Sequence, residues 1–328
     1  MKREVQADMA KSPALSAIGA AGIALISGIL LADTARSETP VGVADKSFPE
    51  SVTSTRDGTL YVGSFNNGGV VKVAPGGKAE QFVKPGANDS RSTLGVLADE
   101  KGGTLYVCSN DISGFGVAGP SDIKGAWLKT FDLATGSPKG SFALADAKSL
   151  CNDIVVGNDG TAYVTDSFTP NVYSLKPGGA ALEVWAANPA LAPAKDGVGL
   201  DGIAIGSDGH VYVTTYIPAK LFRIAVKDGK AGDVTELKPS RALDHADAMR
   251  AFGDGFLLVE GAGKLDKVTI KGDEAQVETI QDGLSEPVSV TQVGNTAWVA
   301  EGKLSYIIGD NKGKDPGPFT LKPVALSK

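Results

Sequence analysis

A unit of about 50 residues recurs along this chain, and it constrains the possible folds more than any other feature of the sequence. In each clear copy, a polar residue is followed seven positions later by an Asp-Gly pair that lies between two β-rich segments. The clear copies are Pro49–Val62, Asn152–Val164 and Asp201–Val213. Asp-Gly between such segments indicates a β-hairpin, because glycine adopts the positive φ that a tight turn demands.

Three weaker copies, beginning at Leu94, Asp247 and Pro287, complete a series of six units. Further β-rich segments follow the hairpins, such as Gly69–Val73 and Ala79–Val83, which gives four strands per unit. One four-stranded sheet cannot bury both of its faces, whereas six sheets arranged radially cover one another. The sequence therefore predicts an all-β fold, a six-bladed β-propeller of four-stranded antiparallel blades.

We expect this propeller to be a single domain over residues 40–328. Its ring can close in two ways. The final segment, Phe319–Val324, can supply the last strand of blade six, or Val41–Lys46 can pair there instead. The repeat itself does not choose between these two closures.

The N-terminus has the features of a secretory signal. Basic residues precede an uncharged apolar run, Ala14–Leu31, and the small residues Ala35 and Ser37 then match the pattern that a signal peptidase cuts. We therefore assign residues 1–37 to a signal peptide and expect a periplasmic or secreted protein. An uncleaved anchor is the alternative, because the run approaches the roughly 18 residues at which a membrane span becomes possible.

Charge and cysteine content limit the partners and the chemistry. The formal net charge is −6 and no Lys/Arg cluster follows the apolar run, so the chain lacks the electrostatic footprint of a nucleic-acid-binding protein. We expect a monomer that contacts no membrane beyond its N-terminal segment. Cys108 and Cys151 fall towards the same face of the propeller, where they can form a disulfide or stay as two buried thiols.

Oxygen-bearing side chains occupy one repeat position in four of the blades. These residues are Glu50, Asn152, Asp201 and Asp247. Because the first strand of each propeller blade lines the central channel, we expect the four side chains to converge at one mouth of it. A divalent cation would neutralise their mutual repulsion, and oxygen ligands favour calcium, then magnesium or manganese, with zinc also possible. The alternative is that these residues only cap turns.

The segments that carry these residues resemble a known family. Leu150–Ile154 and Gly199–Ile203, together with Pro49 and Glu50, look like the three metal-ligand motifs of the gluconolactonase, senescence marker protein and luciferin-regenerating enzyme superfamily. The resemblance implies a six-bladed propeller that hydrolyses small-molecule lactones or related esters with a metal-activated water.

The resemblance also assigns roles to individual residues. It implies that Glu50, Asn152 and Asp201 are metal ligands and that Asp201 is also a general base. Asp247 matches a further acidic ligand of the paraoxonase-like relatives. Blade two departs from the family, because Leu94 stands where sugar lactonases carry a polar motif, and this departure argues against a sugar-acid lactone as the substrate.

Other residues near the predicted mouth are further candidates. His245 lies two residues before Asp247 and is a second candidate base, since histidine ordinarily titrates near neutral pH; a plain polar contact is the alternative. His210, at the opposite end of its blade, is expected to be a solvated surface residue. The insertion Asn110–Ala126 in blade two can form a lid or a substrate wall, or it can be an ordinary flexible excursion. Asp166 can orient a ligand or cap a turn.

Two other functions share the predicted fold. The first is a non-catalytic binding propeller whose channel ion only holds the blades together. The second is a lyase or condensing enzyme like the strictosidine-synthase relatives, for which the sequence offers no distinctive residue.

Overall fold

The computed structural model describes residues 39–195 and 197–326, so the assigned signal peptide, residues 1–37, lies outside the described residues. The described residues form six sheets, and the inner strands of neighbouring sheets pack against one another in a closed circle. The prediction of an all-β, six-bladed propeller of four-stranded antiparallel blades is confirmed. Within the described ranges, no helix is long and apolar enough to cross a membrane.

The strands are numbered along the chain, beginning with β1 (Val41–Gly42). Blade one contains β2 (Pro49–Ser54), β3 (Leu60–Ser64), β4 (Val70–Val73) and β5 (Ala79–Val83). Blade two contains β6 (Ser92–Asp99), β7 (Thr104–Asn110), β8 (Ala126–Asp132) and β9 (Pro138–Ala143). Blade three contains β10 (Cys151–Val156), β11 (Ala162–Asp166), β12 (Asn171–Leu175) and β13 (Glu183–Ala187).

Blade four contains β14 (Leu200–Ile205), β15 (Val211–Thr215), β16 (Lys220–Lys227) and β17 (Lys230–Glu236). Blade five contains β18 (Lys238–Pro239), β19 (Ala246–Phe252), β20 (Gly255–Glu260), β21 (Lys264–Lys271) and β22 (Glu274–Gln281); the short β18 runs parallel to β22. Blade six contains β23 (Pro287–Val293), β24 (Thr296–Glu301) and β25 (Thr320–Ala325). The short helices are the 3-10 turns Ala87–Asp89, Ser113–Phe115 and Pro189–Leu191 and the α-helical turn Ser305–Ile308.

The Asp-Gly turns close the hairpins that the sequence predicts. Gly58, Gly160 and Gly209 have φ values of 87°, 84° and 79°, a region that side chains larger than that of glycine rarely enter. Each turn joins the first strand of a blade to the second. The turns therefore set the phase of the repeat in blades one, three and four.

Both chain ends take part in closing the ring. β25 is the third strand of blade six, and β1 is the fourth, outermost strand, with Val41 opposite Leu321 and Gly42 opposite Thr320. The two closures that the sequence left open thus occur together. The first strand of the propeller completes the last blade.

Packing between blades and one covalent link hold the sheets in place. Tyr212 of blade four packs on Phe256 of blade five, with ring centroids 4.8 Å apart. Cys108 and Cys151 form a disulfide with a Cα–Cα distance of 5.2 Å, and this bond joins β7 of blade two to β10 of blade three. Of the two arrangements that the sequence left open for these cysteines, the structure has the disulfide.

Every blade carries a β-bulge at the same place between its first and second strands. The first strand has one extra residue there, so the pairing register shifts by one. A bulge of this kind turns a side chain away from the regular alternation of the strand. The first residues of the bulges in blades one to six, which we call the ring, are Glu50, Leu94, Asn152, Asp201, Asp247 and Val288.

Candidate metal centre and active-site cavity

The six ring residues line one cavity of about 460 Å³ at a mouth of the channel. The polar members of the ring are each at most 7% exposed. These polar members are Glu50, Asn152, Asp201 and Asp247, the four metal ligands predicted from the sequence. The structure thus brings all four predicted ligands to one place, at a single end of the channel.

One carboxylate oxygen at the base of this cavity is unsatisfied. The Asn152 amide Nδ2 donates to Asp201 Oδ2 at 3.2 Å and to Ser167 Oγ at 2.8 Å. Asp201 Oδ1 is buried and has no hydrogen-bond partner among the described residues. Because an unpaired polar atom in a protein interior is costly, a proton or a cation at this oxygen would stabilise the site.

The three ring carboxyls favour their protonated forms. Burial, and then the neighbouring Asp201 and Asp153 carboxylates, raise the pKa of Glu50 well above its ordinary value. Burial raises the pKa of Asp201 to about 7. Burial and the charges of Asp201 and Glu50 raise the pKa of Asp247. The three carboxyls therefore bind protons or another cation more readily than exposed carboxyls do.

The channel also contains an arginine, which does not neutralise these carboxyls. Arg250, whose side chain is 13% exposed, donates from its two terminal guanidinium nitrogens to the two oxygens of Asp153, at 2.6 and 2.9 Å. Asp153 Oδ2 also accepts a hydrogen bond from the backbone N of Ile203 at 3.2 Å. The Arg250 guanidinium is paired with the Asp153 carboxylate. No Lys or Arg among the described lining residues pairs with the carboxyls at the mouth.

The oxygen donors of the ring fit a hard divalent ion in type, but the donor atoms are not yet arranged to coordinate one. Nowhere in residues 39–195 and 197–326 do three or more His, Cys, Asp or Glu side chains come together in a geometry that could hold a metal ion. The ring offers three carboxylates, one of which has the unpartnered Asp201 Oδ1, and one amide oxygen, and calcium accepts oxygen donors of both kinds. Binding an ion would therefore require the ring side chains to rotate towards one another.

Hydroxyl groups fix the backbone of two predicted ligands from the neighbouring blade. Thr165 Oγ1 donates to the carbonyl oxygen of Asp201 at 2.6 Å, and Thr214 Oγ1 donates to that of Asp247 at 3.0 Å. The absence of a side chain at Gly202 allows this backbone to lie against that of Asp247, because a Cβ atom there would lie 2.5 Å from the Asp247 carbonyl oxygen. The bulge thus requires a residue without a side chain at this position.

His245 lies at the rim of the cavity and is oriented by its neighbour. Its backbone φ is 57°, and its side chain is 42% exposed. The ring Nδ1 lies 2.6 Å from Asp244 Oδ1, so Nε2 is the nitrogen available to the cavity. The Glu260 carboxylate accepts a hydrogen bond from the backbone N of Asp244, which fixes this loop.

Tyr216 is a cavity residue that the sequence analysis missed. Its ring packs edge-on against that of His245, with centroids 4.9 Å apart. Burial and the nearby Asp247 and Asp201 carboxylates raise the pKa of its phenol, which therefore remains a hydrogen-bond donor. Gly261 makes room for it, because a Cβ there would lie 3.0 Å from the hydroxyl oxygen.

A repeat-based signal could have found Tyr216. It directly follows the second strand of its blade, as Ser167, which bonds to Asn152, does in blade three. In both blades this residue donates its backbone N–H to the residue that directly precedes the first strand. Aligning the ends of the second strands, as well as the starts of the first, would have placed both residues at the mouth.

Three other predicted roles have different outcomes. No residue of Asn110–Ala126 lines the cavity, so the insertion does not form the substrate wall; residues of the loop after β24 line the cavity instead. His210 is half-buried, and its Nδ1 accepts a hydrogen bond from the backbone N of Val226, which corrects its expected placement as a solvated residue. Asp166 caps a turn through the backbone N of Phe168.

Comparison with known proteins shows what fold this chain shares with others. No protein-family model and no curated protein matches the sequence. Among solved structures, the chain is similar to a gluconolactonase from Xanthomonas campestris, with a TM-score of 0.60, 14% identity, and coverage of 88% of this chain and 95% of that chain. It is also similar to a PQQ-bound aldose sugar dehydrogenase from Streptomyces coelicolor, with a TM-score of 0.59, 13% identity, and coverage of 87% of this chain and 96% of that chain.

A third similar structure is a virginiamycin B lyase from Staphylococcus aureus, with a TM-score of 0.57, 16% identity, and coverage of 88% of this chain and 99% of that chain. At such identities the likeness concerns the fold alone. Gluconolactonase structures are thus among the proteins that share this six-bladed propeller, in agreement with the resemblance noted in the sequence.

Proposed function

We propose that this chain is a metal-dependent hydrolase of lactones or related esters that acts at the channel mouth. The observation that carries the proposal is the convergence of four oxygen-bearing ring residues in one cavity beside His245. Glu50, Asn152, Asp201 and Asp247 would hold the ion, with calcium as the first choice. A bound divalent ion would supply a Lewis acid that polarises the substrate carbonyl and acidifies a water.

The chain's own residues would handle the protons. Water adds to the carbonyl carbon while its proton passes to His245 Nε2, which Asp244 keeps in the required tautomer through Nδ1. The bond between the carbonyl carbon and the ring or ester oxygen then breaks, and the leaving oxygen recovers the proton. Tyr216 would donate a hydrogen bond to the negative charge that develops on the carbonyl oxygen.

Asp201 is the second candidate for the base. It lies in the same cavity, and its Oδ1 has no hydrogen-bond partner among the described residues and can accept a proton. Replacing each candidate in turn distinguishes the two. His245→Gln should lower kcat at least 100-fold while metal uptake is unchanged. If this variant keeps its full kcat and still binds the ion, the base is Asp201.

The test of the whole proposal is hydrolysis of a lactone and aryl-ester panel, with and without chelator. We expect chelator-sensitive turnover, and we expect Asp201→Ala to lose metal uptake and hydrolysis together. Asp208→Ala is the matched control, because Asp208 lies seven residues further along, in the turn at the far end of the same strand. Full activity in Asp201→Ala would refute the proposal.

A binding propeller with a structural ion is the second candidate, and the apolar Leu94 in the ring favours it. For that function, chelator should lower the melting temperature while no substrate of the panel is turned over. In either case we propose a monomer that contacts no nucleic acid, and no membrane beyond its N-terminal segment. With residues 1–37 as an export signal, it would act in the periplasm or outside the cell.

A further inference from the structure

We propose that the cavity selects uncharged lactones or esters carrying an apolar alkyl or aryl group, and that it discriminates against polyhydroxylated sugar lactones. This inference rests on the proposed hydrolase function and names its substrate class. It arises from how the lining of the cavity is divided between the blades.

The large apolar lining residues are concentrated on one side of the cavity, where Glu50, Glu286 and Ser305 are the polar exceptions. Blades three, four and five contribute the polar side, which includes Asn152, Asp201, Tyr216, His245 and Asp247. Blades six, one and two contribute most of the apolar side. The apolar wall consists of Phe65, Leu94, Leu150, Val288, Leu304 and Ile308.

The apolar wall extends from the ring to the outer rim. Leu94 and Val288 are buried at the base, on blades two and six, which flank the blade of Glu50. Ile308, in the helical turn Ser305–Ile308, is 40% exposed at the top. An apolar wall beside convergent polar groups is typical of a site that orients a ligand with one polar end and one apolar end.

The charge of the lining restricts the ligand further. Five carboxyl residues line the cavity, and no Lys or Arg is among the described lining residues. One divalent ion would balance only part of this negative charge. An acidic or phosphorylated substrate would therefore be repelled, whereas an uncharged lactone or ester would not.

The wall also discriminates between uncharged lactones. The hydroxyl groups of a sugar lactone that face Leu94, Phe65 or Ile308 would lose water without gaining a partner, which lowers affinity. An alkyl chain in the same place gains about fourfold in affinity for each methylene that is fully buried. The cavity volume of about 460 Å³ accommodates a lactone ring with a chain of several carbons.

The test compares kcat/KM for δ-decalactone and glucono-δ-lactone on the metal-loaded full chain. We expect δ-decalactone to be preferred at least 100-fold, since it carries several methylenes that the wall can cover. Ile308→Ser should lower kcat/KM for δ-decalactone about tenfold and leave that for the chainless δ-valerolactone unchanged. Ile217→Ser is the matched control, because Ile217 is 43% exposed and lies outside the cavity lining.

A binding measurement separates this inference from the proposed catalysis. Calorimetry with the corresponding lactams, which resist hydrolysis, reports affinity alone. If the alkyl lactam binds more tightly than the sugar lactam and neither lactone is hydrolysed, the hydrolase proposal fails and the selectivity stands. Preference for the sugar compound, in turnover or in binding, overturns the inference. Failure of both lactams to bind overturns it as well.

Discussion

The buried ring carboxyls should make the metal-free protein less stable as the pH rises, and Asp201→Asn should remove much of this effect. Burial raises the Asp201 pKa from 3.8 to about 7, so the folded chain retains a proton that the unfolded chain releases. The stability that this proton provides is complete below the unfolded pKa and is lost as the pH rises through the folded one. At 1.36 kcal/mol per pKa unit, the shift corresponds to about 4 kcal/mol, which belongs jointly to Asp201 and the coupled Asp247.

Urea unfolding in the presence of chelator, at about pH 5 and about pH 8, measures the effect. The Asp201 contribution to the free energy of unfolding should fall by about 3 kcal/mol between these conditions, because the unfolded chain has already released most of that proton at about pH 5. Asp201→Asn should lose less than the wild-type chain, since only the contributions of Glu50 and Asp247 remain. Asp57→Asn is the control: hydrogen bonds from Thr55 and Thr59 lower the pKa of Asp57, whose contribution is lost as the pH falls.

Calcium provides the second half of this experiment. At about 100 times its dissociation constant, a ligand that binds only the folded state stabilises it by about 2.7 kcal/mol. Calcium at about pH 8 should therefore stabilise the wild-type chain and the Asp57→Asn variant, while Asp201→Asn should respond little. Equal pH slopes in wild type and Asp201→Asn would show that folding does not raise the pKa of Asp201. An equal response of both to calcium would show that the ion binds elsewhere.

Three further substitutions test the framework of the site by urea unfolding. Gly202→Ala should lower the free energy of unfolding by about 2 kcal/mol or more and weaken calcium binding. Gly232→Ala, whose Cβ would meet nothing closer than 3.4 Å, should change neither quantity. Arg250→Met should cost about 3 kcal/mol because it leaves a buried carboxylate unpaired, and adding Asp153→Asn should restore part of that loss; strictly additive costs would contradict a coupled pair. Cys108→Ala, which opens a disulfide of sequence separation 43, should cost about 4 kcal/mol, and an unchanged urea midpoint would contradict this estimate.

The architecture and the ring were predictable because both follow from local signals. Each Asp-Gly turn closes a hairpin within a few residues, so its position sets the phase of a whole blade. Once the phase is known, Glu50, Asn152, Asp201 and Asp247 fall at equivalent positions. Their convergence then follows from the circular arrangement of the blades.

The remaining features of the site depend on contacts that no local signal encodes. Arg250 pairs with Asp153 across 97 residues, from another blade, and nothing near either residue indicates the partner. The loop after β24 lines the cavity while the equally conspicuous insertion in blade two does not, because the paths of long loops are set by tertiary packing. Asp244 directly precedes His245 in the sequence, but its role in orienting the imidazole needed coordinates.

The shared strand arrangement of blade six has a consequence for how this chain is made. Val41 pairs with Leu321, which lies 280 positions later, so the ring of blades cannot close until Leu321 has been synthesised. Five blades can assemble as they leave the ribosome, but the sixth stays incomplete until nearly the entire polypeptide is present. A chain cut short by even its final strand would therefore expose an unpaired sheet edge, and such an edge invites aggregation.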